Sequence, residues 1–148
     1  MQQKGMVWVI GASGGLGRAT AQAFAQNGWS VIAGARSFAA GTSPLGEGVT
    51  VLPLDVTSEE SCTAFVKKAL GMESRVDVLV CAAAQLVLGS CENTTVDELD
   101  RLLDVNVLGA VRMIQRALPL MRAQKSGKII LFSSINGLLG IPFQSAYT

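Results

Sequence analysis

Short apolar runs alternate along this chain with longer segments in which apolar residues recur every three or four positions. The apolar runs predict five β-strands, at residues 6–10, 29–35, 49–54, 76–81 and 129–132. Most of the segments between them predict helices, because this spacing places apolar side chains on one helix face. Strands and helices therefore alternate, which is typical of a parallel sheet with helical crossovers.

Two local patterns predict where the later helices begin. Thr57 with Glu60 has the spacing of a capping box, in which a hydroxyl and a carboxylate satisfy backbone N–H groups, and predicts a helix to about residue 70. Thr95 with Glu98 has the same spacing and predicts a long helical region that bends near residues 106–109 and ends at about residue 125. Both helices are therefore predicted to connect neighbouring strands.

The predicted strands are apolar on both faces, which indicates a sheet that helices cover on both sides. Hydrophobic residues make up 49% of the chain and charged residues only 16%, against about 25% charged in an ordinary soluble domain. A chain of 148 residues has the length of one domain. We therefore expect residues 1–148 to form a single α/β domain, a doubly wound parallel sheet with strand order 3-2-1-4-5 in three α/β/α layers.

Charge and residue counts exclude several classes of protein. The 12 basic and 11 acidic residues give a net charge of +1 without a basic stripe, so nucleic acid is not expected as a partner. Three cysteines suggest neither a disulfide framework nor a zinc site, which favours the cytoplasm. The chain has no histidine, which excludes Ser-His-Asp and Cys-His catalysis, and no metal site is expected. No apolar run predicts a signal peptide or a membrane span.

A glycine pattern, Gly11-x-x-x-Gly15-x-Gly17, lies between the first predicted strand and a helical segment. Glycines allow a tight turn and let a diphosphate approach the backbone amides at the helix N-terminus, where the partial positive charge favours it. Glycines also serve ordinary tight turns, so a purely structural turn is the alternative. In this context the pattern favours dinucleotide binding.

The end of the second predicted strand favours NADP over NAD. Many dinucleotide-binding folds have an acidic residue there that holds the ribose 2′-hydroxyl. Here the position is Ala35, followed by Arg36. A guanidinium can pair with a 2′-phosphate through two hydrogen bonds, and the missing carboxylate removes a repulsion. The alternative for Arg36 is a solvated charge at the start of a loop.

With these features the chain resembles the short-chain dehydrogenase/reductase family over its whole length, and the match covers about the N-terminal half of that family. The matching pieces are the glycine turn, the Asp55-Val56 pair, the segments VDVLVCAAA and DVNVLG, and the tail that contains Ser134 and Tyr147. Longer stretches are most similar to the branch that contains 17β-hydroxysteroid and retinol dehydrogenases. The resemblance implies a Rossmann-type fold and an oxidoreductase that interconverts a secondary alcohol and a ketone or aldehyde, and Arg36 favours NADP over NAD as its cofactor.

The resemblance implies roles for three residues in the reaction. Tyr147 matches the family's acid/base tyrosine, which moves the proton while hydride passes between nicotinamide and substrate carbon. Ser134 would hydrogen-bond the reacting oxygen, and it is preferred to Ser133 because twelve residues then separate it from Tyr147, as in the family. Asn106 matches an asparagine at which the family's long helix bends and which helps to hold a chain of water molecules.

The resemblance also implies a set of cofactor contacts, in which Asp55 hydrogen-bonds the adenine amino group. The expected set comprises Gly11, Ser13, Gly14, Gly15, Leu16, Gly17, Arg36, Asp55, Val56, Ala82, Ala83 and Ala84. Structural alternatives stay open for three residues. Asn106 can satisfy backbone groups at a helix bend, Asp55 can cap the turn before Thr57, and Tyr147 can be a solvated loop aromatic.

The chain departs from the family's pattern after the fourth strand. The family usually has Asn-Asn-Ala-Gly there, and this chain has Cys81-Ala82-Ala83-Ala84. The second asparagine would tie neighbouring strands together by hydrogen bonds, and a methyl group at Ala84 lies where the backbone usually passes close to the cofactor. We therefore expect weaker cofactor affinity than is usual for the family.

In the family a lysine four positions after the tyrosine completes the active site, and that place would lie beyond Thr148. We therefore expect this chain to be a fragment of a longer enzyme, incomplete on the C-terminal side of its sheet, with residues 129–132 as an open edge. Residues 85–88 and 138–143 are expected to form the walls of a site for an apolar alcohol or carbonyl substrate. The family implies a homo-oligomer at full length. The contrasting hypothesis is a dinucleotide-binding or scaffold module without catalysis, favoured by the absent lysine.

Overall fold

The computed structural model describes residues 4–38 and 45–147. Its five strands form one parallel sheet in the order β3-β2-β1-β4-β5, which confirms the predicted order. The strands are β1 (Met6–Ile10), β2 (Ser30–Ala35), β3 (Val49–Pro53), β4 (Val78–Cys81) and β5 (Lys128–Leu131). The order reverses between β1 and β4, and such a switch point opens a crevice at the carboxyl ends of the strands.

The described part of the chain contains four α-helices: α1 (Gly15–Gln26), α2 (Glu59–Met72), α3 (Val96–Leu103) and α4 (Gly109–Gln124). On one face Ala21 of α1 is buried with Val7 and Val9 of β1. On the other face Trp8 packs edge-on against Phe65 of α2, with ring centroids 5.9 Å apart. Since α4 also contributes buried residues to that second cluster, the expected three-layer arrangement is confirmed.

The fourth strand is shorter than predicted, because residues 76–77 precede it. Asp77 accepts a hydrogen bond from the Met6 backbone N–H at 2.8 Å and pairs with Arg75, whose Nε lies 2.9 Å from Oδ2. Desolvation opposes the charged form, but these hydrogen bonds outweigh it and lower the pKa of Asp77. The Asp77 carboxylate therefore links the residues just before β4 to the start of β1.

The start of α2 differs from the predicted capping box. Ser58 is the N-cap residue, and its Oγ accepts a hydrogen bond from the Ser61 N–H at 3.1 Å. The Thr57 hydroxyl instead donates to Asp55 Oδ1 at 2.7 Å. The prediction from Thr57 and Glu60 was therefore wrong by one residue, because Asp55 engages the threonine hydroxyl.

The second predicted capping box is confirmed at the start of α3. Thr95 Oγ1 accepts from the Glu98 N–H at 3.2 Å, and Glu98 Oε2 accepts from the Thr95 N–H at 2.8 Å. A π-helical segment, Asp104–Leu108, joins α3 to α4. It lies next to the predicted bend and ends where the Gly109 N–H bonds the Asp104 carbonyl, five residues earlier.

None of the helices within the described residues is both long enough and apolar enough to cross a membrane.

Candidate active site

The turn after β1 needs two of its glycines for its own geometry. Gly11 has a φ of +86°, and a Cβ on it would lie 2.5 Å from Ala83 Cα. A Cβ on Gly17 would lie 2.8 Å from the carbonyl carbon of Gly11. The Gly11 and Ala12 N–H groups both bond the Gly34 carbonyl, at 2.8 and 3.1 Å. The turn is therefore packed tightly against β2 and the end of β4, and a side chain at either glycine would disrupt it.

Two further glycines of the turn have no such structural reason. Neither Gly14 nor Gly15 has a positive φ; a Cβ on Gly14 would meet its nearest atom at 3.8 Å, and one on Gly15 would meet none within 4 Å. Gly14 is the N-cap of α1 and provides no side-chain cap for the first-turn amides. The N-terminus of α1 thus offers open space and backbone donors, which fits the diphosphate of a dinucleotide.

A cavity of about 160 Å³ opens beside this turn. It lies at the carboxyl ends of β1 to β4, where open parallel sheets bind their ligands. Of the twelve cofactor contacts predicted from the sequence, it brings together nine: Gly11, Ser13, Gly14, Arg36, Asp55, Val56, Ala82, Ala83 and Ala84. The other three, Gly15, Leu16 and Gly17, begin α1 next to the cavity, and Leu16 is exposed.

The Asp55 carboxylate makes the hydrogen bonds that the structural alternative predicts for it, and it also lines the first cavity. Its Oδ1 accepts hydrogen bonds from the Thr57 N–H at 3.0 Å and the Thr57 hydroxyl at 2.7 Å. These bonds lower the pKa of Asp55, and the positive charge of Arg36 adds to the effect. Asp55 lines the cavity as a charged acceptor. It therefore caps its turn and still faces the space predicted for adenine.

A second cavity, of about 450 Å³, contains all three residues predicted to act in the reaction: Asn106, Ser134 and Tyr147. It shares Ala83 and Ala84 with the first cavity. The predicted cofactor and substrate spaces are therefore adjacent, on the two sides of the backbone that follows β4.

Asn106 makes a two-point contact with the segment after β4. Its Oδ1 accepts from the Gln85 N–H at 2.7 Å, and its Nδ2 donates to the Gln85 carbonyl at 2.9 Å. The side chain thus satisfies both backbone groups of one residue, in the manner of a strand partner. This supports the structural interpretation of Asn106, and it also fixes the wall between the two cavities.

A pair of residues that the sequence did not single out organises the loop around Ser134 and Tyr147. Asn136 is buried, and its Nδ2 donates to Gln144 Oε1. Ser134 Oγ accepts from the Asn136 N–H at 3.3 Å, and the Tyr147 N–H donates to the Gln144 carbonyl at 2.9 Å. The turns that carry the serine and the tyrosine are therefore connected through Asn136 and Gln144. In the sequence, the only sign of this connection is that one loop contains two residues with amide side chains.

The two segments predicted as substrate walls meet at one point. The Gly89 N–H donates to the Phe143 carbonyl at 2.8 Å, and the Ser145 hydroxyl donates to the Gly89 carbonyl at 3.3 Å. The adjacent Leu88 and Phe143 side chains are exposed. The loops after β4 and β5 are therefore joined there and form one apolar rim, although none of residues 85–88 or 138–143 lines the second cavity.

Cys81 lies at the end of β4 and lines the second cavity. Burial raises the pKa of its thiol to about 12. A thiol that stays protonated at neutral pH is a poor nucleophile. The side chain therefore acts as an apolar packing group here.

Four charged residues form a network next to the turn after β3. No pattern in the sequence predicted this network. Arg112 of α4 pairs with Glu59 and Asp104 at 2.9 and 2.7 Å, and Arg116 pairs with Glu59 at 2.6 Å. Hydrogen bonds from Arg116, followed by Arg112, lower the pKa of Glu59. The Asp104 and Glu59 carboxylates raise the pKa of Arg112 against the effect of desolvation. The network joins α2, α4 and the π-helical segment.

Comparisons with known proteins agree with this geometry. The profile of the short chain dehydrogenase family matches residues 5–148. A 3-ketodihydrosphingosine reductase of Bacteroides thetaiotaomicron is 34% identical over 146 residues, which cover 99% of this chain and 53% of that protein. Estradiol 17-beta-dehydrogenase 1 of Rattus norvegicus is 42% identical over 97 residues, which cover 66% of this chain and 28% of that protein. The rat enzyme belongs to the branch that the sequence motifs resemble.

A solved structure shares the fold. An alcohol dehydrogenase from the archaeon Thermococcus sibiricus, complexed with 5-hydroxy-NADP, superposes with a TM-score of 0.84 at 28% identity, over 96% of this chain and 63% of that one. The chain spans about half the length of its bacterial relative. The family profile extends from the first strand to the end of the chain, so this chain belongs to the short-chain dehydrogenase family, a family of oxidoreductases.

Proposed function

We propose that this chain carries the cofactor site and the serine and tyrosine of an NADP-dependent oxidoreductase that interconverts a secondary alcohol and a ketone or aldehyde. The observation that carries the proposal is the contact between the two cavities. The first holds the predicted dinucleotide contacts, the second holds Ser134 and Tyr147, and Ala83 and Ala84 line both. A nicotinamide ring that reaches this wall would therefore lie beside the proposed catalytic groups.

The first cavity fits a dinucleotide phosphate in two places. The uncapped N-terminus of α1, with open space at Gly14 and Gly15, suits the diphosphate. Arg36 lines the cavity, and among the residues that the structure describes Asp55 is the only acidic one that lines it. A guanidinium at the end of β2 supports recognition of a 2′-phosphate. The 5-hydroxy-NADP in the archaeal relative is a further reason to favour NADP.

Bound NADP would supply or accept the hydride at the substrate carbon. In the direction of reduction, Tyr147 would donate its phenolic proton to the carbonyl oxygen as negative charge develops there. Ser134 would donate a hydrogen bond to the same oxygen. The bond between Asn106 and Gln85 would hold the wall between the two spaces in place. Both side chains that act on the oxygen line the second cavity.

The exposed rim supports an apolar substrate. Leu88, Leu138 and Phe143 are all more than two thirds exposed, at 68%, 82% and 70%. The names of the bacterial and rat relatives refer to 3-ketodihydrosphingosine and estradiol, which are largely apolar molecules. We propose a substrate of this character, whose apolar surface would cover the rim.

We further propose that the functional protein is a cytoplasmic homo-oligomer in which additional polypeptide covers β5. The cysteine content supports the location. Leu99, Leu108 and Val111, exposed apolar residues of the α3–α4 region that do not line the second cavity, support association, because exposed apolar surface is costly to leave in water. Light scattering of the natively expressed protein tests the homo-oligomer, and its intact mass tests the additional polypeptide; a monomer of 15.5 kDa with full activity would contradict these two proposals.

The second candidate is a dinucleotide-binding module without catalysis. It is favoured by Ala84, whose methyl group lies at the wall between the cavities, where the family has glycine. Titration with NADPH, followed by stopped-flow measurement of hydride transfer to a panel of apolar ketones, separates the two functions. Saturable binding with turnover that Tyr147→Phe abolishes is the result we expect. Saturable binding without turnover in the natively expressed protein would favour the module, and absence of binding would contradict both.

A further inference from the structure

One end of the first cavity is formed by two elements that are far apart in the sequence. Val56 comes from the turn after β3, and Val105 comes from the π-helical segment. Each is buried, with 7% and 8% of its surface exposed. The width of the cavity at this end therefore depends on how firmly these two elements are held together.

Arg112 contacts both elements with one guanidinium. Its Nη1 donates to the Val56 carbonyl at 3.0 Å and lies 2.7 Å from Oδ1 of Asp104, the residue before Val105. Its Nε lies 2.9 Å from Glu59 Oε1, at the start of α2. Only 16% of the Arg112 side chain is exposed, which favours its bond to the Val56 carbonyl, whereas the Glu59 side chain is 67% exposed and its pair with Arg112 is screened by water.

About one helical turn before Arg112, α4 packs closely against the turn after β3. A Cβ on Gly109 would lie 2.6 Å from Val56 Cγ2. The glycine thus lets α4 approach the turn after β3 to a distance that no other residue allows. Gly109 sets the separation, and Arg112 holds it.

We propose that Arg112 is a positioning residue for the adenine end of the cofactor. It fixes the turn at residues 55–56 against the π-helical segment and so sets the width of the cavity, without touching the cofactor itself. The inference depends on the proposed NADP site. The cost of losing Arg112 should therefore appear in cofactor affinity as well as in stability.

Arg116 provides a matched control. It extends from the same helix to the same glutamate, with Nη2 2.6 Å from Glu59 Oε2, and its side chain is 20% exposed. Its other contacts are the Glu59 carbonyl, Thr63 Oγ1 and the Arg112 carbonyl. It thus joins α2 to α4 as Arg112 does, but it has no bond to residues 55–56 or to the π-helical segment.

The test measures the dissociation constants of NADPH and of 2′,5′-ADP for the full chain and for R112Q, R112K and R116Q, together with urea unfolding. We expect R112Q to raise both constants about tenfold, because hydrogen bonds from a charged donor are lost. R112K keeps the charge but cannot reach all its partners, and we expect about a threefold rise. R116Q is expected to lower the free energy of unfolding and to leave both constants within about twofold.

The outcomes separate this inference from the proposed function. If the wild-type chain binds NADPH and R112Q binds it equally well, or if R112Q and R116Q weaken binding equally, the inference is wrong and the cofactor site stands. If the wild-type chain binds neither ligand, the proposed cofactor site fails and the inference fails with it. If R112Q does not fold, R112K decides: the threefold rise supports the inference, and unchanged constants overturn it.

Discussion

β4 and β5 are neighbouring parallel strands with similar apolar sequences, but their surroundings differ. The four residues of β4 are between 0% and 7% exposed, whereas Ile129, Ile130 and Leu131 of β5 are 36%, 41% and 55% exposed. The apolar composition of both strands predicts, taken alone, that both are buried. The difference shows that an apolar run predicts a strand, while its burial depends on elements elsewhere in the fold.

The same contrast separates the two cavities. The first lies among the ends of β1 to β4, which the two core clusters enclose. The second has Leu131 and Phe132 in its wall, at the exposed edge. Within the described residues the first cavity therefore lies among buried strands, whereas the second adjoins an exposed edge of the sheet.

The largest effect should come from a substitution in the enclosed region. Gly11→Ala would force a side chain onto a φ of +86° and into the backbone of Ala83, and we expect a loss of about 3 kcal/mol or more in the free energy of unfolding. Gly15→Ala is the matched control, because its Cβ meets no described atom within 4 Å. It should leave urea unfolding nearly unchanged but weaken NADPH binding about tenfold or more through steric exclusion of the diphosphate. Equal losses of stability in the two variants would contradict this account.

The contrast between β4 and β5 can be measured directly at two residues that are partners in the sheet, Val80 and Ile130. Val80 is fully buried, and Val80→Ala should lower the free energy of unfolding by about 2 to 3 kcal/mol. Ile130→Ala removes more atoms, but from a side chain that is 41% exposed, and should cost only about 1 kcal/mol. Urea unfolding of both variants tests the order; a larger cost at Ile130 would show that another surface covers β5 in solution.

Arg36 tests whether the enclosed cavity selects its cofactor. Arg36→Ala should raise the dissociation constant of NADPH by about 10- to 100-fold, because charge-assisted hydrogen bonds to the 2′-phosphate are lost. The constant for NADH, which lacks that phosphate, should change by less than about twofold. Calorimetric titration of both cofactors measures the difference, with Lys67→Ala on the exposed face of α2 as a control for net charge. Equal changes for the two cofactors would exclude Arg36 from 2′-phosphate recognition.

The smallest expected effect is a pH-dependent change in stability from a substitution in the turn after β3. Hydrogen bonds from Thr57 hold the pKa of Asp55 below its ordinary value. A carboxyl group whose pKa is lower in the folded than in the unfolded state stabilises the fold above its unfolded pKa, and this stability is lost as the pH falls through the folded pKa. Thr57→Val should therefore cost about 0.5 kcal/mol at pH 7, and the difference from wild type should shrink below about pH 4.

Urea unfolding at pH 7 and pH 3 measures this dependence. Thr50→Val, at an exposed position of β3, is the control and should show no comparable change with pH. A cost for Thr57→Val that is the same at both pH values would mean that the hydroxyl acts independently of the Asp55 charge.

The sheet could be predicted from the sequence because its signals are local. Five apolar runs and a glycine turn gave the strand order, and Thr95 with Glu98 located the start of α3. The predicted start of α2 was wrong because two hydroxyl residues stand in succession and Asp55, two residues before Thr57, engages the hydroxyl of the first, which leaves Ser58 as the N-cap.

The sequence predicted positions that lie together in the structure, but it did not predict the hydrogen bonds among them. The positions predicted for cofactor contact lie at the ends of four strands, so topology brings most of them together. Arg112 bonds to Val56 and Glu59, which are 56 and 53 residues away in the sequence. No local sequence pattern predicts bonds between residues so far apart. The exposure of β5 was predicted, but from the resemblance to the family and not from residues 129–132 themselves, which are as apolar as those of β4.

A crystal structure of the chain with NADPH tests the central claim most directly. The account predicts that the diphosphate lies within hydrogen-bonding distance of the backbone amides around Gly14 and Gly15, with the 2′-phosphate on Arg36 and the nicotinamide beside Ala84. A diphosphate bound away from the N-terminus of α1, with the turn at residues 11–17 empty, would contradict it.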